Sequence, residues 1–336
     1  MCSYVSYVFY VFDAFMQTFD QLSKQFAQRF NHRHFPEHPA SLYDAGHYFL
    51  QLEAKRVRPV LCLMGNELFD EISSDTWEVA TAIELFHNFT LIHDDIMDNA
   101  PLRRGQSTVH KKYGQSTALL AGDVMLVTAY EHLNKIAPLY KQKILQVFNT
   151  TAKEVCEGQQ LDMDFEKKDL VHLDEYLRMI GLKTSVLIAA SLQLGAIIGG
   201  AGEGNQQHLN AFGKSLGIAF QVQDDYLDAF GDPSKFGKQV GGDIIANKKT
   251  FLLIKALESV NGKDAAELQA LKTATGNDKV ERTLSIFRKH GVDKWAFDLK
   301  EQYMKEAFEH LEEIAVLSSR KTALRELAGF LVKREY

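Results

Sequence analysis

The chain has 336 residues, 46% of them hydrophobic, enough to bury a large core in one big domain or two ordinary ones. A net charge of −6 and the lack of a long basic run exclude a protein that binds nucleic acid chiefly by neutralising phosphates. Cys2, Cys62 and Cys156 are widely spaced and form no C-x-x-C pair, so neither a disulfide framework nor a zinc site is expected, and a reducing, cytoplasmic setting fits.

Only six prolines interrupt apolar stretches of helical period, so the expected fold class is all-α. The apolar run Tyr4–Phe12 is short, lacks a positive leader and leads into Asp13 and Asp20, which argues against a signal peptide or a membrane span. Phe12, Phe15, Phe19, Phe26 and Phe30 recur at helical spacing, and predict an amphipathic helix from about Phe12 to Phe30. We take residues 1–35 as an extension packed on a single domain spanning 36–336. After the break at Pro36 and Pro39, Ser41 is a candidate cap for a helix running toward Leu52. Lys55-Arg56-Val57-Arg58 then sets three bases in four residues before an apolar helix, with Pro59 in its first turn. Bases beside the exposed N–H groups of a helix start make an anion site, although such a run on its own is more often plain surface charge.

A helix from roughly Thr76 to Asp98 follows, and it carries Asp94, Asp95 and Asp98 at its C-terminal end, the unfavourable pole of the helix dipole. Residues four apart share a face, so Asp94 and Asp98 point the same way with Asp95 beside them, and His87, two turns earlier, faces the same side. The pattern returns as Asp224-Asp225-Tyr226-Leu227-Asp228 near the end of a helix from about His208 to Phe230, again in an apolar context. Carboxylates so close repel unless cations sit between them, and hard oxygen ligands in a loose cluster suit Mg²⁺ shared with a substrate phosphate.

Between the two clusters lie further polar groups. Arg103 and Arg104 are adjacent, point apart and suit two different anions. Helices over Ala118–Tyr130 and Ile144–Phe165 look internal, yet the second contains Glu157-Gly158-Gln159-Gln160-Leu161-Asp162, whose buried polar atoms need partners and so line a cavity. Lys183-Thr184-Ser185 interrupts another apolar helix, where a buried lysine requires an anion. The glycines of Gly199–Gly204 follow no strand and are given no phosphate role. From Gly231 to Thr250, turn residues and lysines (Lys238, Lys248, Lys249) form a long basic segment beside an acidic site, as a lid over a bound phosphate would.

Taken together, Lys55-x-x-Arg58-Pro59, His93-Asp94-Asp95-x-x-Asp98, Arg103-Arg104-Gly105, Lys183-Thr184, Phe220-Gln221-x-x-Asp224-Asp225-x-x-Asp228, Gly237-Lys238 and Asn247-Lys248-Lys249-Thr250 resemble the trans-isoprenyl diphosphate synthases of short-chain, farnesyl or geranylgeranyl type. The resemblance covers about Tyr43 to Leu253 with the motifs in order. It implies a single all-α domain around a central cavity, usually a homodimer, with the two aspartate motifs facing each other across the cavity mouth.

It also implies residue roles. Asp94, Asp95, Asp98, Asp224, Asp225 and Asp228 would hold about three Mg²⁺ against an allylic diphosphate (dimethylallyl, geranyl or farnesyl). Arg103, Lys183, Thr184, Gln221, Lys238 and Lys248 would hold the same diphosphate, and Lys55, Arg58, His87 and Arg104 would bind isopentenyl diphosphate. Asp94, Asp98, Asp224, Lys183 and Arg103 are the expected catalytic set. Phe89, Thr90 and Phe86, lying behind the first cluster, would close the cavity floor and set a product of fifteen or twenty carbons. Two other readings fit less well. A terpene cyclase would replace the second cluster with an Asn/Asp, Ser/Thr, Glu site, and a non-catalytic partner subunit has no reason to keep both clusters.

One departure from the family pattern yields a test. Glu53-Ala54 stands where a Gly-Gly pair is usual; glycine lets backbone approach a phosphate, and Glu53 adds a nearby negative charge. Glu53→Gly with Ala54→Gly should therefore lower the KM for isopentenyl diphosphate in steady-state assays, and an unchanged KM refutes the idea.

Overall fold

The apolar periods become helices that end where a cap or a turn residue intervenes. The computed structural model describes residues 16–231, 241–274 and 276–332. Helix α1 (Phe19–Phe30) starts at Thr18, whose hydroxyl accepts the Gln21 amide while the Gln21 side chain accepts the Thr18 amide. The helix expected from about Phe12 thus begins at Phe19, because that reciprocal cap fixes its start; Phe12 and Phe15 lie outside the described residues. Leu22, Phe26 and Phe30 of α1 are buried in the main core. Helix α2 (Ala40–Leu50) starts directly after Pro39, so Ser41 sits inside it and is not its cap. Helices α3 (Val57–Glu67) and α4 (Ser74–Met97) follow, the latter opened by a Ser73–Thr76 capping box.

The all-helical expectation holds apart from one hairpin. Leu102–Arg103 (β1) pairs antiparallel with Gln106–Ser107 (β2), and the two residues between them, Arg104 and Gly105, have φ of 53° and 76°. Two successive left-handed residues are the signature of a tight turn whose twist matches its strands. Helices α5 (Val109–Tyr113), α6 (Gln115–Lys135), α7 (Pro138–Lys167) and α8 (Leu173–Ile180) come next. A π-helical turn, Gly181–Ser185, then joins α8 to α9 (Val186–Ile198), and α10 (Glu203–Phe230) carries the second aspartate cluster. The remaining described helices are α11 (Gly242–Ile245), α12 (Phe251–Ser259), α13 (Gly262–Leu271), α14 (Asn277–Lys289), α15 (Val292–Glu312) and α16 (Ser318–Val332).

Helix α9 is the axis of the packing: every residue in it except Gln193 is buried. Its span together with α8, Leu173–Ile198, is long and apolar enough to cross a membrane, but most of it is packed inside the protein as a core helix. Glycines let neighbours come within backbone contact. A Cβ at Gly195 would sit 1.9 Å from the Cys62 carbonyl oxygen of α3, and one at Gly65 would sit 2.3 Å from that of Leu192. On the other side Gly217 of α10 lies against Ser185, where a Cβ would be 2.6 Å from its Cα.

Two hydrophobic clusters result, and α10 runs through both. Leu209, Phe212, Leu216 and Ala219 belong to the larger one, with α1, α3, α4 and α9, whereas Val222 and Ala229 belong to a second, built with Tyr176, Met179, Phe251, Phe287 and Val292. The second aspartate motif sits just past that crossing, between Val222 and Ala229 of the second cluster.

The glycine contact can be tested. Gly195→Ala should lower stability by about 2–3 kcal/mol in chemical denaturation, because two backbones must separate. Gly329→Ala in α16, where a Cβ meets nothing within 4 Å, should instead raise it by about 0.5–1 kcal/mol.

Candidate active site

The first aspartate cluster ends α4. Asp94 is half-buried, Asp98 exposed, and Asp95 fully buried. Burial pushes the Asp94 carboxyl up to about 6; Asp98 adds to this by repulsion, while Lys183 pulls the other way. Asp95 is turned into the protein. Its Oδ1 accepts Arg103 Nε at 3.0 Å and Nη2 at 2.5 Å, and its Oδ2 is buried with no hydrogen-bond partner. The hairpin brings Arg103 to this position, and the left-handed Arg104 leaves in another direction, its guanidinium 5.9 Å from the centre of the Phe49 ring.

In the second cluster Asp225 is the buried member. The Tyr176 hydroxyl donates to its Oδ2 and Gln221 Nε2 donates to its Oδ1 at 2.9 Å. Burial raises its carboxyl to about 7 against the pull of both hydrogen bonds, and Asp243 adds repulsion. Asp224 is half-buried. Asp228 accepts the Asp243 amide at 3.0 Å, which ties the end of α10 to the start of α11. Thr184 Oγ1 donates to Gln221 Oε1 at 3.3 Å, so the π-turn and α10 are joined through the same glutamine.

The bases of the cleft are held on carboxylates. Lys183 Nζ lies 2.5 Å from Asp162 Oδ2 of α7, and Lys248 Nζ lies 3.4 Å from Asp243 Oδ1. Burial opposes the Lys248 charge, but Asp243, Asp162 and Asp98 outweigh it and hold the ammonium above its ordinary range. Gly158 explains how α7 reaches the π-turn: a Cβ there would lie 2.3 Å from the Lys183 amide nitrogen. Asp98, Asp162, Lys183, Thr184, Asp225 and Lys248 line one open cleft of about 900 Å³. Lys238 and residues 232–240 of the expected lid lie outside the described residues.

A separate basic group gathers at the start of α3. Arg58 Nη1 lies 3.1 Å from His87 Nε2. Guanidinium has no acceptor, so His87 accepts there and is neutral. Its basicity is far below the usual histidine value because of burial first, and then because of Arg58, Arg104 and Arg103. Burial also brings Arg58 down to about 10, with Glu84 opposing and Arg104 assisting. Lys55 is exposed at the rim. Asp162, expected within a cavity-lining polar run, does line the cleft and holds Lys183, whereas Tyr176 and Asp243, which hold Asp225 and Asp228, and the buried Glu84, which holds Arg56, carry no motif of their own. A lone acid in an apolar helix, three residues before His87, was the one signal for Glu84.

Behind the first cluster, rings form a continuous wall. His93 and Phe89 are 4.7 Å apart by ring centroid, Phe89 and Phe86 5.7 Å, Phe86 and Phe148 5.2 Å, and Phe148 and Tyr130 5.4 Å. Thr90 spends its hydroxyl proton on the His87 carbonyl at 2.8 Å.

The donor set suits a hard divalent cation. Asp94 and Asp225 are carboxyls whose charge the protein leaves poorly compensated, and all six candidate ligands present oxygen. Among the described residues no three His, Cys, Asp or Glu side chains converge into a ready-made cage.

The comparisons with known proteins agree with this geometry. Residues 39–288 match the polyprenyl synthetase family model. The short chain isoprenyl diphosphate synthase of Methanothermobacter thermautotrophicus is 37% identical over 300 residues, 89% of this chain and 92% of that protein. A crystal structure of a geranylgeranyl pyrophosphate synthase superposes with a TM-score of 0.90 at 43% identity, covering 96% of this chain and all of that one. A polyprenyl synthase from Caulobacter crescentus, solved in complex with calcium and isoprenyl diphosphate, is 25% identical, with a TM-score of 0.83 over 95% of this chain and 98% of that one. An aspartate-lined cleft reached from two helices, in a chain so similar to these proteins, is that of a prenyltransferase, and the chain belongs to the polyprenyl synthetase family, on its short-chain side.

Proposed function

We propose that the chain joins isopentenyl diphosphate head to tail to an allylic diphosphate and releases a short-chain all-trans product, geranylgeranyl or farnesyl diphosphate. The observation that carries this reading is the single cleft lined by residues of both aspartate motifs together with Lys183, Thr184 and Lys248. Asp94, Asp95, Asp98, Asp224, Asp225 and Asp228 are the residues that would hold about three Mg²⁺. The chemistry supplied by bound Mg²⁺ is neutralisation of diphosphate charge.

The chain's own residues do the rest. Lys183 and Lys248, each resting on a carboxylate, and Arg103 face the allylic diphosphate as its C–O bond breaks and the electron pair leaves with oxygen. Thr184 and Gln221, hydrogen-bonded to each other, orient the same group. The allylic cation then lies beside an apolar wall where Thr90 has its proton already engaged, so little there holds water. Lys55, Arg58, His87 and Arg104 hold isopentenyl diphosphate with its double bond toward that cation. The π pair forms the new C–C bond, and a proton is lost to the departed diphosphate, the nearest base generated by the reaction.

A homodimer is supported by α6, which exposes Leu119, Leu120 and Val127 on its surface. A cytoplasmic setting is supported by Cys62 and Cys156, both unpaired.

Purified chain incubated with Mg²⁺, isopentenyl diphosphate and five-, ten- or fifteen-carbon starters should give products ending at fifteen or twenty carbons after dephosphorylation and chromatography. No product from folded protein with any starter would overturn the reading. Phe89→Ala, which opens the ring wall, should lengthen the product; an unchanged distribution would place the floor elsewhere.

A further inference from the structure

Arg56 is the least expected residue near the basic pocket. It is the N-cap of α3, with φ of 53°, a left-handed conformation that side chains other than glycine rarely take, and it is buried. Neither Glu53 nor Ala54, where the family's glycines usually stand, is among the positive-φ residues. In this chain the left-handed residue of the stretch is the arginine.

Its guanidinium is held from three directions. Nη1 donates to Glu84 Oε1 of α4 at 3.0 Å, Nη2 donates to the Leu50 carbonyl at the end of α2 at 3.0 Å, and the group stacks 4.4 Å over the Phe30 ring of α1. Glu84 is 1% exposed and also accepts Asn88 Nδ2 at 2.9 Å. The contacts close a ring. Arg56 reaches Glu84, Glu84 lies one turn before His87, His87 accepts from Arg58, and Arg58 is two residues from Arg56. Arg58 Nε, meanwhile, is buried with no protein partner.

We propose that Arg56 and Glu84 form a positioning pair for isopentenyl diphosphate: they hold the left-handed entry to α3 so that Lys55 and Arg58, on either side, present their charges to one diphosphate, while Arg56 itself touches no substrate. This rests on the reading of Lys55, Arg58, His87 and Arg104 as the isopentenyl diphosphate pocket. A point charge on a flexible stem cannot make the same three contacts, so lysine does not substitute for Arg56. Removing one partner strands a buried charge, whereas removing both does not.

The test is steady-state kinetics on the full chain for Arg56→Lys, Glu84→Gln and the double variant Arg56→Met with Glu84→Leu, beside Arg58→Ala as a control, each with a thermal melt. Arg56→Lys and the double variant should raise the KM for isopentenyl diphosphate about 10-fold or more, as misplaced binding groups do. The KM for the allylic substrate should stay within about 2-fold and kcat within about 3-fold, since the groups displaced touch only one substrate. Lower melting temperatures with an unchanged KM for isopentenyl diphosphate would overturn the proposal, as would an equal rise in both KM values. The control separates the two levels. If Arg58→Ala raises that KM and the folded double variant does not, the positioning role alone fails; if Arg58→Ala leaves it unchanged, the pocket reading fails and takes the proposal with it.

Discussion

Too many charges share too little space at the mouth of this cleft, and much of the surrounding structure answers that constraint. Six aspartates lie in two short motifs, with Arg103, Lys183 and Lys248 among the cations near them. The protein divides them. Asp95 is given to Arg103, Asp225 to Tyr176 and Gln221, and Glu84 to Arg56, each of these carboxylates being buried. On the proposed reading, the repulsion that remains within each motif is relieved by a cation. Lys183 and Lys248 rest on Asp162 and Asp243, partners that on the proposed reading a diphosphate would displace.

Such a division requires that the helices carrying these groups do not drift. Pairing of a buried carboxylate depends on distances of a few tenths of an ångström, and α4 and α10 are brought together only through α9 and its neighbours. The backbone-to-backbone contacts at Gly65, Gly195 and Gly213 leave no side-chain layer to yield between α3, α9 and α10. Rigid packing at the centre and charge placement at the mouth are the same property seen at two depths.

How legible this was in the sequence follows from the range over which each feature is decided. The helices were visible because apolar period is local, and the aspartate motifs because i, i+1 and i+4 spacing fixes a face without any tertiary information. Helix starts were less visible where a reciprocal cap decided them, as at Thr18, or where a proline acted in place of the expected serine, as at Ala40. The site was legible in its ligand-facing residues and opaque in their supports. Tyr176 and Asp225 are 49 residues apart, and Arg56 and Glu84 28, so neither pair leaves a pattern in one window. The division of each Asp-Asp pair into an outward and an inward member is likewise a tertiary fact: neighbours on a helix point about 100° apart, but the chain alone does not say which side is water. Lys55, Arg56 and Arg58 look alike as letters; one ends up buried in a pair, one at the rim and one beside His87.

The π-turn at Gly181–Ser185 inserts extra backbone between α8 and α9, and that surplus has a bearing on how such chains diverge. On its N-terminal side Tyr176 must meet Asp225; within it Lys183 and Thr184 must face the cleft; on its C-terminal side Gly195 must meet Cys62. A regular α-helix through the same residues would turn one side relative to the other by about 100° per residue gained or lost, and these demands could not all be met. The stretch from Tyr176 to Gly195 is therefore free to accept exchanges of side chain but not of length, and a lineage that lost one residue here would have to rebuild either its core or its chemistry.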